Sequence, residues 1–193
     1  MTPIVLASTS PYRRELLQRL RLAFSVEGPG IDETGHAHEA PRQTALRLAL
    51  AKAESVARRH PRSIVIGSDQ VADIDGEALS KPGHHAAALE QLARMQGREV
   101  VFHTAVAVVG PGGGYDLAEV PTSVRFRNLP TSRLDAYLRV ERPYDCAGAA
   151  KIEALGITLV ESVRSEDPTA LVGLPLIRLT TMLAAVGVAL PPP

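Results

Sequence analysis

The chain has 193 residues, of which 45% are hydrophobic and 22% are charged. A chain of this length and apolar content can bury one substantial core, so we expect a single domain over residues 1–193. Basic and acidic residues both number 21, which excludes a global basic field of the kind that attracts nucleic acid. The one cysteine excludes an internal disulfide framework.

Targeting and membrane segments are not evident in the sequence. The N-terminus lacks the basic-then-apolar pattern of a signal peptide, and no apolar run is long enough to span a bilayer. A single cysteine also fits a reducing compartment. These features predict a cytoplasmic protein that contacts neither membrane nor nucleic acid. The oligomeric state is left open, with a homodimer as one option.

The N-terminal half predicts strands that alternate with helices. We expect strand 4–6, a helix from Pro11 to about Leu22, strand 24–27, helix 41–59 and strand 63–67. Ser10 can cap the first helix, and Pro11 suits its first position. The strand at 63–67 is almost continuously apolar and runs into Ser68-Asp69-Gln70, which is typical of a central strand whose carboxyl end opens into a site. Asp75-Gly76 then predicts a hairpin turn.

The C-terminal half continues the alternation. We expect helix 86–95, strands 100–109 and 120–129 joined by the glycine-rich loop 110–114, helix 132–140, a loop over 144–156 with one helical turn, strand 157–161, helix 176–186 and a frayed tail at 191–193. Together the elements predict an α/β fold with a mixed sheet.

The start of the first helix has the features of an anion site. Arg13 and Arg14 lie in its first turn, where each cation opposes the helix dipole by roughly 0.3–1 kcal/mol unless an anion is bound. A phosphate would remove this conflict. A solvated basic turn explains the segment as well, so both interpretations stay open on these residues alone.

Three further charged residues occupy positions that favour a site. Lys52 lies in the apolar stripe of the second helix, so its ammonium faces the interior or a cleft, unless it extends from the stripe's edge to water. Asp69 ends the most apolar strand, where a carboxylate needs a cation, a metal or backbone donors; a helix or turn cap is the plainer alternative. Lys81 either returns to the same opening or stays a solvated loop lysine. With Arg13 and Arg14, these residues suit triphosphate binding and hydrolysis.

Separated motifs along nearly the whole chain resemble the Maf family of nucleoside triphosphate pyrophosphatases. In chain order they are Leu6–Leu17, Asp32-Glu33, Ala51-Lys52-Ala53, Gly67–Val71, Ser80-Lys81-Pro82, Asp145–Gly148 and Val172–Leu176. The resemblance implies an elongated mixed sheet flanked by helices, with two lobes and a central cleft, as in inosine triphosphate pyrophosphatases. It also implies cleavage between the α and β phosphates, with Mg²⁺ or Mn²⁺ as cofactor and a nucleotide as substrate.

The resemblance extends to base choice. Ser68-Asp69-Gln70-Val71 is similar to the subgroup acting on 7-methyl-GTP, whereas the dTTP and UTP subgroup typically has Ala-Asp-Thr there. Tyr12 and Glu153 match the other positions linked to base choice. An aromatic face at Tyr12 suits the positive charge of 7-methylguanine, and Glu153 can accept from the guanine N–H edge. Tyr12 departs from the tryptophan frequent in that subgroup, and without the resemblance Glu153 would be interpreted as a solvated carboxylate.

The resemblance also implies roles for the charged residues. Asp69 is the general base that activates water for attack on the α-phosphorus, or a metal ligand; sequence does not separate the two. We expect Glu33 to be the second carboxylate that binds the metal. The residues that hold phosphate are Ser8, Arg13, Arg14, Lys52 and Lys81. The implied function is removal of modified nucleotides, with a link to cell division arrest. The alternatives are a dTTP/UTP pyrophosphatase and a non-catalytic nucleotide-binding regulator of septum formation.

Overall fold

The computed structural model describes residues 2–191, so Pro192 and Pro193 of the predicted tail lie outside the described residues. In chain order the elements are β1 (Ile4–Ala7), α1 (Pro11–Gln18), β2 (Ser25–Glu27), α2 (Pro41–Ala57), β3 (Ile64–Ile74), β4 (Glu77–Leu79), α3 (His85–Met95), β5 (Glu99–Val109), β6 (Tyr115–Phe126), α4 (Thr131–Glu141), β7 (Val160–Ser165) and α5 (Leu176–Ala185). Short 3₁₀ turns occur at Ala147–Ala149, Leu155–Leu159 and Ala170–Val172.

The seven strands form one mixed sheet. Its order is β2-β1-β3-β5-β6-β7, with β4 paired to β3 as a hairpin. Strands β2, β1 and β3 are parallel, while β3, β5, β6 and β7 pair antiparallel to their neighbours. This arrangement confirms the predicted α/β fold with a mixed sheet flanked by helices.

The long strands β3 and β5 connect two regions of core. Near the start of β3, Ile64 and Ile66 pack with α1 and α5, whereas Ala72 and Ile74 pack with α3 and α4. The helix α2 covers the opposite face of the sheet through its alanine-rich side. Because side chains alternate between faces along a strand, Ser68 and Gln70 lie between these two core regions, while Asp69 faces α2 on the other side of the sheet. The cleft expected between two lobes lies at this point.

The helix α2 lies unusually close to β3 because residue 67 is glycine. A Cβ atom at Gly67 would lie 2.2 Å from the carbonyl oxygen of Ala49 and 2.7 Å from the amide nitrogen of Ala53. Neither distance is compatible with a side chain, since packed interiors do not yield by that much. This close approach places Lys52, the neighbour of Ala53, directly beside the polar middle of β3.

The prediction that the strand ends at Asp69 is wrong, since β3 runs to Ile74. Pairing of β3 with β1 does stop at Gly67. The strand continues because β5 supplies antiparallel partners as far as Asp73, and Asp69 lies opposite Ala105 within this ladder. Asp69 therefore pairs with β5 on one side only, because the pairing with β1 on the other side ends at Gly67.

Two other strand boundaries differ from expectation. The strand β6 begins at Tyr115, because the turn is confined to the glycine-rich segment, where Gly112 and Gly113 have φ of 93° and 90°. The last strand starts at Val160, since the preceding residues form a 3₁₀ turn. The predicted hairpin turn at Asp75-Gly76 is confirmed. Among residues 2–191, none of the helices combines the length and the apolarity that a bilayer crossing requires.

Candidate active site

A cavity of about 770 Å³ lies between the two core regions. Its walls come from the start of α1, the loop 29–39, α2, the middle of β3 and the segments 78–81, 145–153 and 171–173. The predicted site residues that line it are Ser8, Tyr12, Arg13, Glu33, Lys52, Asp69, Gln70, Lys81 and Glu153. Arg14 is not among them: it is exposed on α1 and does not line the cavity. The geometry therefore does not support its predicted contact with phosphate.

Lys52 is buried between two carboxylates. Its Nζ donates to Asp69 Oδ1 and to Glu33 Oε2, each at 2.7 Å. The Lys52 and Asp69 side chains are only 5% and 9% exposed. The expectation that Lys52 faces the interior is confirmed, and Asp69 meets the cation that a carboxylate in this position requires. Two negative charges thus face one positive charge, with one oxygen of each carboxylate not used by Lys52.

Arg13 extends from the first turn of α1 to the opposite wall. Its Nε donates to the carbonyl oxygen of Gly173 at 2.9 Å, and the Ser68 hydroxyl donates to the same oxygen at 2.9 Å. Burial away from water lowers the pKa of Arg13, while the negative charges of Asp69 and Glu33 act to raise it. Within residues 2–191 its terminal guanidinium nitrogens have no hydrogen-bond partner, so they are available to an anion.

The start of α1 adds neutral donors beside Arg13. Ser10 caps the helix as predicted, its hydroxyl accepting from the Arg13 amide. The buried Ser8 hydroxyl accepts from the amide of Ser10 at 3.1 Å. A hydroxyl that accepts in this way still has its own proton to donate. The helix start can therefore bind an anion through Ser8 and the positive end of the helix dipole.

Gln70 is engaged with the wall of the cavity. Its Nε2 donates to Thr104 Oγ1 at 2.9 Å and to the carbonyl oxygens of Ala170 and Leu171 at 3.1 and 3.0 Å. These bonds hold the segment whose next glycine, Gly173, binds Arg13. Since the amide nitrogen is occupied, Gln70 presents only its oxygen to a ligand.

Tyr12 lines the cavity together with residues of the segment 145–153. Lys151 Nζ lies 5.3 Å from the centroid of the Tyr12 ring. Burial raises the pKa of Tyr12, and the neighbouring Cys146 and Asp145 add to that effect. Burial likewise raises the pKa of Glu153, which keeps contact with solvent through the opening. Lys151 was not expected from the sequence; its place two residues before Glu153 is the only local signal for it.

A metal ion in this cavity would have to take part of its coordination shell from a bound ligand. Within the described residues 2–191 there is no group of three or more histidine, cysteine, aspartate or glutamate side chains that could hold one. Glu33 and Asp69 nevertheless offer one carboxylate oxygen each. Mg²⁺ commonly takes one or two carboxylates and fills its remaining positions with phosphate oxygens and water. The donor set fits a hard divalent cation whose remaining ligands come from a bound anion and water.

The fold and the cavity define a class: an α/β protein whose cleft is lined by guanidinium and ammonium groups and by an aromatic ring. The chain belongs to the Maf family, since the family profile, described as Maf-like protein, matches residues 3–186. The family resemblance expected from the sequence motifs is confirmed.

Individual relatives match almost the whole chain. It is 55% identical over 188 residues to a 7-methyl-GTP pyrophosphatase from Albidiferax ferrireducens, covering 96% of this chain and 94% of the relative. It is 59% identical over 182 residues to a protein of the same name from Ralstonia nicotianae, covering 94% of each. Among solved structures, the Ham1 protein of Staphylococcus aureus is similar with a TM-score of 0.48 and 20% identity, covering 65% of this chain and 72% of that one.

Proposed function

We propose that this protein hydrolyses 7-methyl-GTP to 7-methyl-GMP and pyrophosphate, and so removes a modified nucleotide. The observation that carries the proposal is the buried Lys52–Asp69 pair in a cavity that also contains Arg13 and Tyr12. The naming of relatives that are 55% to 59% identical as 7-methyl-GTP pyrophosphatases supports the choice of substrate.

The cations of the cavity would hold the triphosphate. The free guanidinium nitrogens of Arg13 and the ammonium of Lys52 face the same space as the Ser8 hydroxyl. Lys81 lies exposed at the rim and would neutralise charge nearer to solvent. Such fixed charges stabilise negative charge that develops in the transition state, because they need no reorganisation.

Asp69 would act as the general base. Its Oδ1 is held by Lys52, which fixes the carboxylate, while Oδ2 has no hydrogen-bond partner in residues 2–191. A water bound at Oδ2 would give its proton to Asp69 and attack the α-phosphorus. The bond from that phosphorus to the bridging oxygen would break, and the electron pair would leave with pyrophosphate. Lys52 would offset negative charge on the oxygens of the α-phosphate.

Glu33, together with the unused oxygen of Asp69, would hold Mg²⁺ or Mn²⁺. When bound, such an ion would neutralise part of the negative charge of the phosphates. Asp69 as a ligand and Asp69 as the base are alternative uses of the same oxygen.

The base would bind beside Tyr12. The ring of Tyr12 offers a face to the positively charged 7-methylguanine, and Glu153 offers a carboxylate to its N–H edge. Gln70 would contribute its amide oxygen only, and it would act mainly by holding the wall at 170–171.

The proposal also includes a single domain over residues 1–193 that works in the cytoplasm. The contribution of β3 and β5 to both core regions supports the single domain, since neither region has a sheet of its own. A homodimer stays a prediction, and size-exclusion chromatography with light scattering would test it.

A substrate panel tests the proposed activity. We expect pyrophosphate release from 7-methyl-GTP to exceed that from GTP, dTTP and UTP when each is supplied at the same concentration with Mg²⁺ or Mn²⁺. The physical reason is that only the methylated base brings a positive charge to Tyr12. A preference for dTTP or UTP would favour the pyrimidine-nucleotide alternative. Nucleotide binding without release of pyrophosphate would favour a non-catalytic regulator.

A further inference from the structure

The Tyr12 ring already has a cation beside it. Lys151 Nζ lies 5.3 Å from the ring centroid, within the range of a cation–π contact. The same nitrogen is 3.1 Å from Glu141 Oε1, and the two side chains are 26% and 14% exposed. Lys151 is therefore a partly buried charge held between a carboxylate and an aromatic face, behind the residues that line the cavity.

The backbone around Lys151 fixes this position. Its amide donates to the Tyr137 hydroxyl at 2.9 Å. Its carbonyl oxygen accepts from the amides of Ala154 and Gly156 at 3.1 and 3.0 Å. A Cβ atom at Gly156 would lie 2.4 Å from that oxygen, so the tight turn requires glycine. The placement of Lys151 at Tyr12 is thus built into the fold of this segment.

A ligand that stacks on Tyr12 lies close to the Lys151 ammonium. Either the ligand occupies the face that Lys151 now contacts, and the ammonium withdraws towards Glu141, or the ring is placed between the ligand and Lys151. In both arrangements a positively charged base is repelled by Lys151, whereas a neutral base is not. Glu141 offsets only part of that repulsion, because one carboxylate serves two cations.

We propose that Lys151 is a specificity-determining residue that competes with the cationic base for Tyr12 and limits discrimination between 7-methyl-GTP and GTP. This role rests on the proposed function, because it concerns the choice between two substrates of that reaction. It also gives Glu141 a positioning role, since that carboxylate holds the ammonium in place.

The test compares kcat and KM for 7-methyl-GTP and GTP in the wild type, Lys151→Met and Lys151→Arg. Methionine keeps the length of the side chain without its charge, and arginine keeps the charge. For Lys151→Met we expect the ratio of kcat/KM for 7-methyl-GTP to that for GTP to rise by about threefold to tenfold. The change should lie in KM for 7-methyl-GTP, with kcat within about twofold of the wild type. Lys151→Arg should keep the wild-type ratio.

A purely structural role would change stability but not the ratio, so an unchanged or lower ratio in Lys151→Met overturns the proposal. If Lys151→Met does not fold by circular dichroism, Lys151→Gln carries the same expectation. Wild-type protein that fails to hydrolyse 7-methyl-GTP would overturn the proposed function and this role together. Turnover of 7-methyl-GTP with an unchanged ratio would overturn this role alone.

Discussion

Asp69→Asn is expected to lower pyrophosphate release from 7-methyl-GTP by at least about 10²-fold, because general-base catalysis contributes roughly 10²–10⁴. Asparagine keeps the size of the side chain and an oxygen that can accept from Lys52, but it cannot take a proton from water. The fold should persist, since Lys52 retains Glu33 as a counterion. A coupled pyrophosphate assay measures kcat and checks the loss of activity. A thermal melt followed by circular dichroism checks that the fold persists.

Asp73→Asn provides a matched control for Asp69→Asn. Asp73 lies on the same strand and the same face of the sheet, but its carboxylate contacts His103 and it does not line the cavity. Its activity should stay within about twofold of the wild type, as is usual for a group that does not touch the reacting atoms. If Asp69→Asn kept its activity, neither the base nor the metal-ligand role of Asp69 would stand.

Lys52→Met is expected to remove activity and to lower the free energy of unfolding by about 3–5 kcal/mol, the usual cost of removing one partner from a buried ion pair. The variant leaves the buried carboxylate of Asp69 without its ion-pair partner, and it removes one of the charges proposed to hold the triphosphate. Urea denaturation followed by circular dichroism measures the stability, and pyrophosphate release measures the activity.

Two further variants separate stability from catalysis at Lys52. Lys81→Met removes a cation that is exposed at the rim, so it should raise KM without a measurable loss of stability. The double change Lys52→Met with Asp69→Asn should recover part of the lost stability, since it removes the unpaired carboxylate. A stability close to wild type in Lys52→Met alone would contradict the described ion pair.

Local features of the sequence predicted much of the fold. Ser10 followed by Pro11 marked the start of α1, and the Asp75-Gly76 turn marked the hairpin, because both depend on neighbours in the chain. The position of Lys52 within an apolar stripe indicated a side chain facing the interior or reaching water from the stripe's edge, and the structure shows it buried. Such features are determined by helical periodicity and turn chemistry, which a single sequence displays.

Features that depend on distant residues were not predicted. The extension of β3 to Ile74 depends on β5, which follows later in the chain, so the strand was wrongly expected to end at Asp69. The contact of Lys151 with Tyr12 and the bonds of Gln70 to Ala170 likewise join separated segments. Periodicity carries no information on such pairings, which only the packed sheet defines.

Hydrolysis of 7-methyl-GTP in water enriched with ¹⁸O tests the central claim most directly, because the label marks the phosphorus that water attacks. The proposed attack on the α-phosphorus by water bound at Asp69 predicts one ¹⁸O in 7-methyl-GMP and none in pyrophosphate, as read by mass spectrometry. Label in pyrophosphate, or release of labelled orthophosphate, would place the attack on another phosphorus and contradict the proposed mechanism.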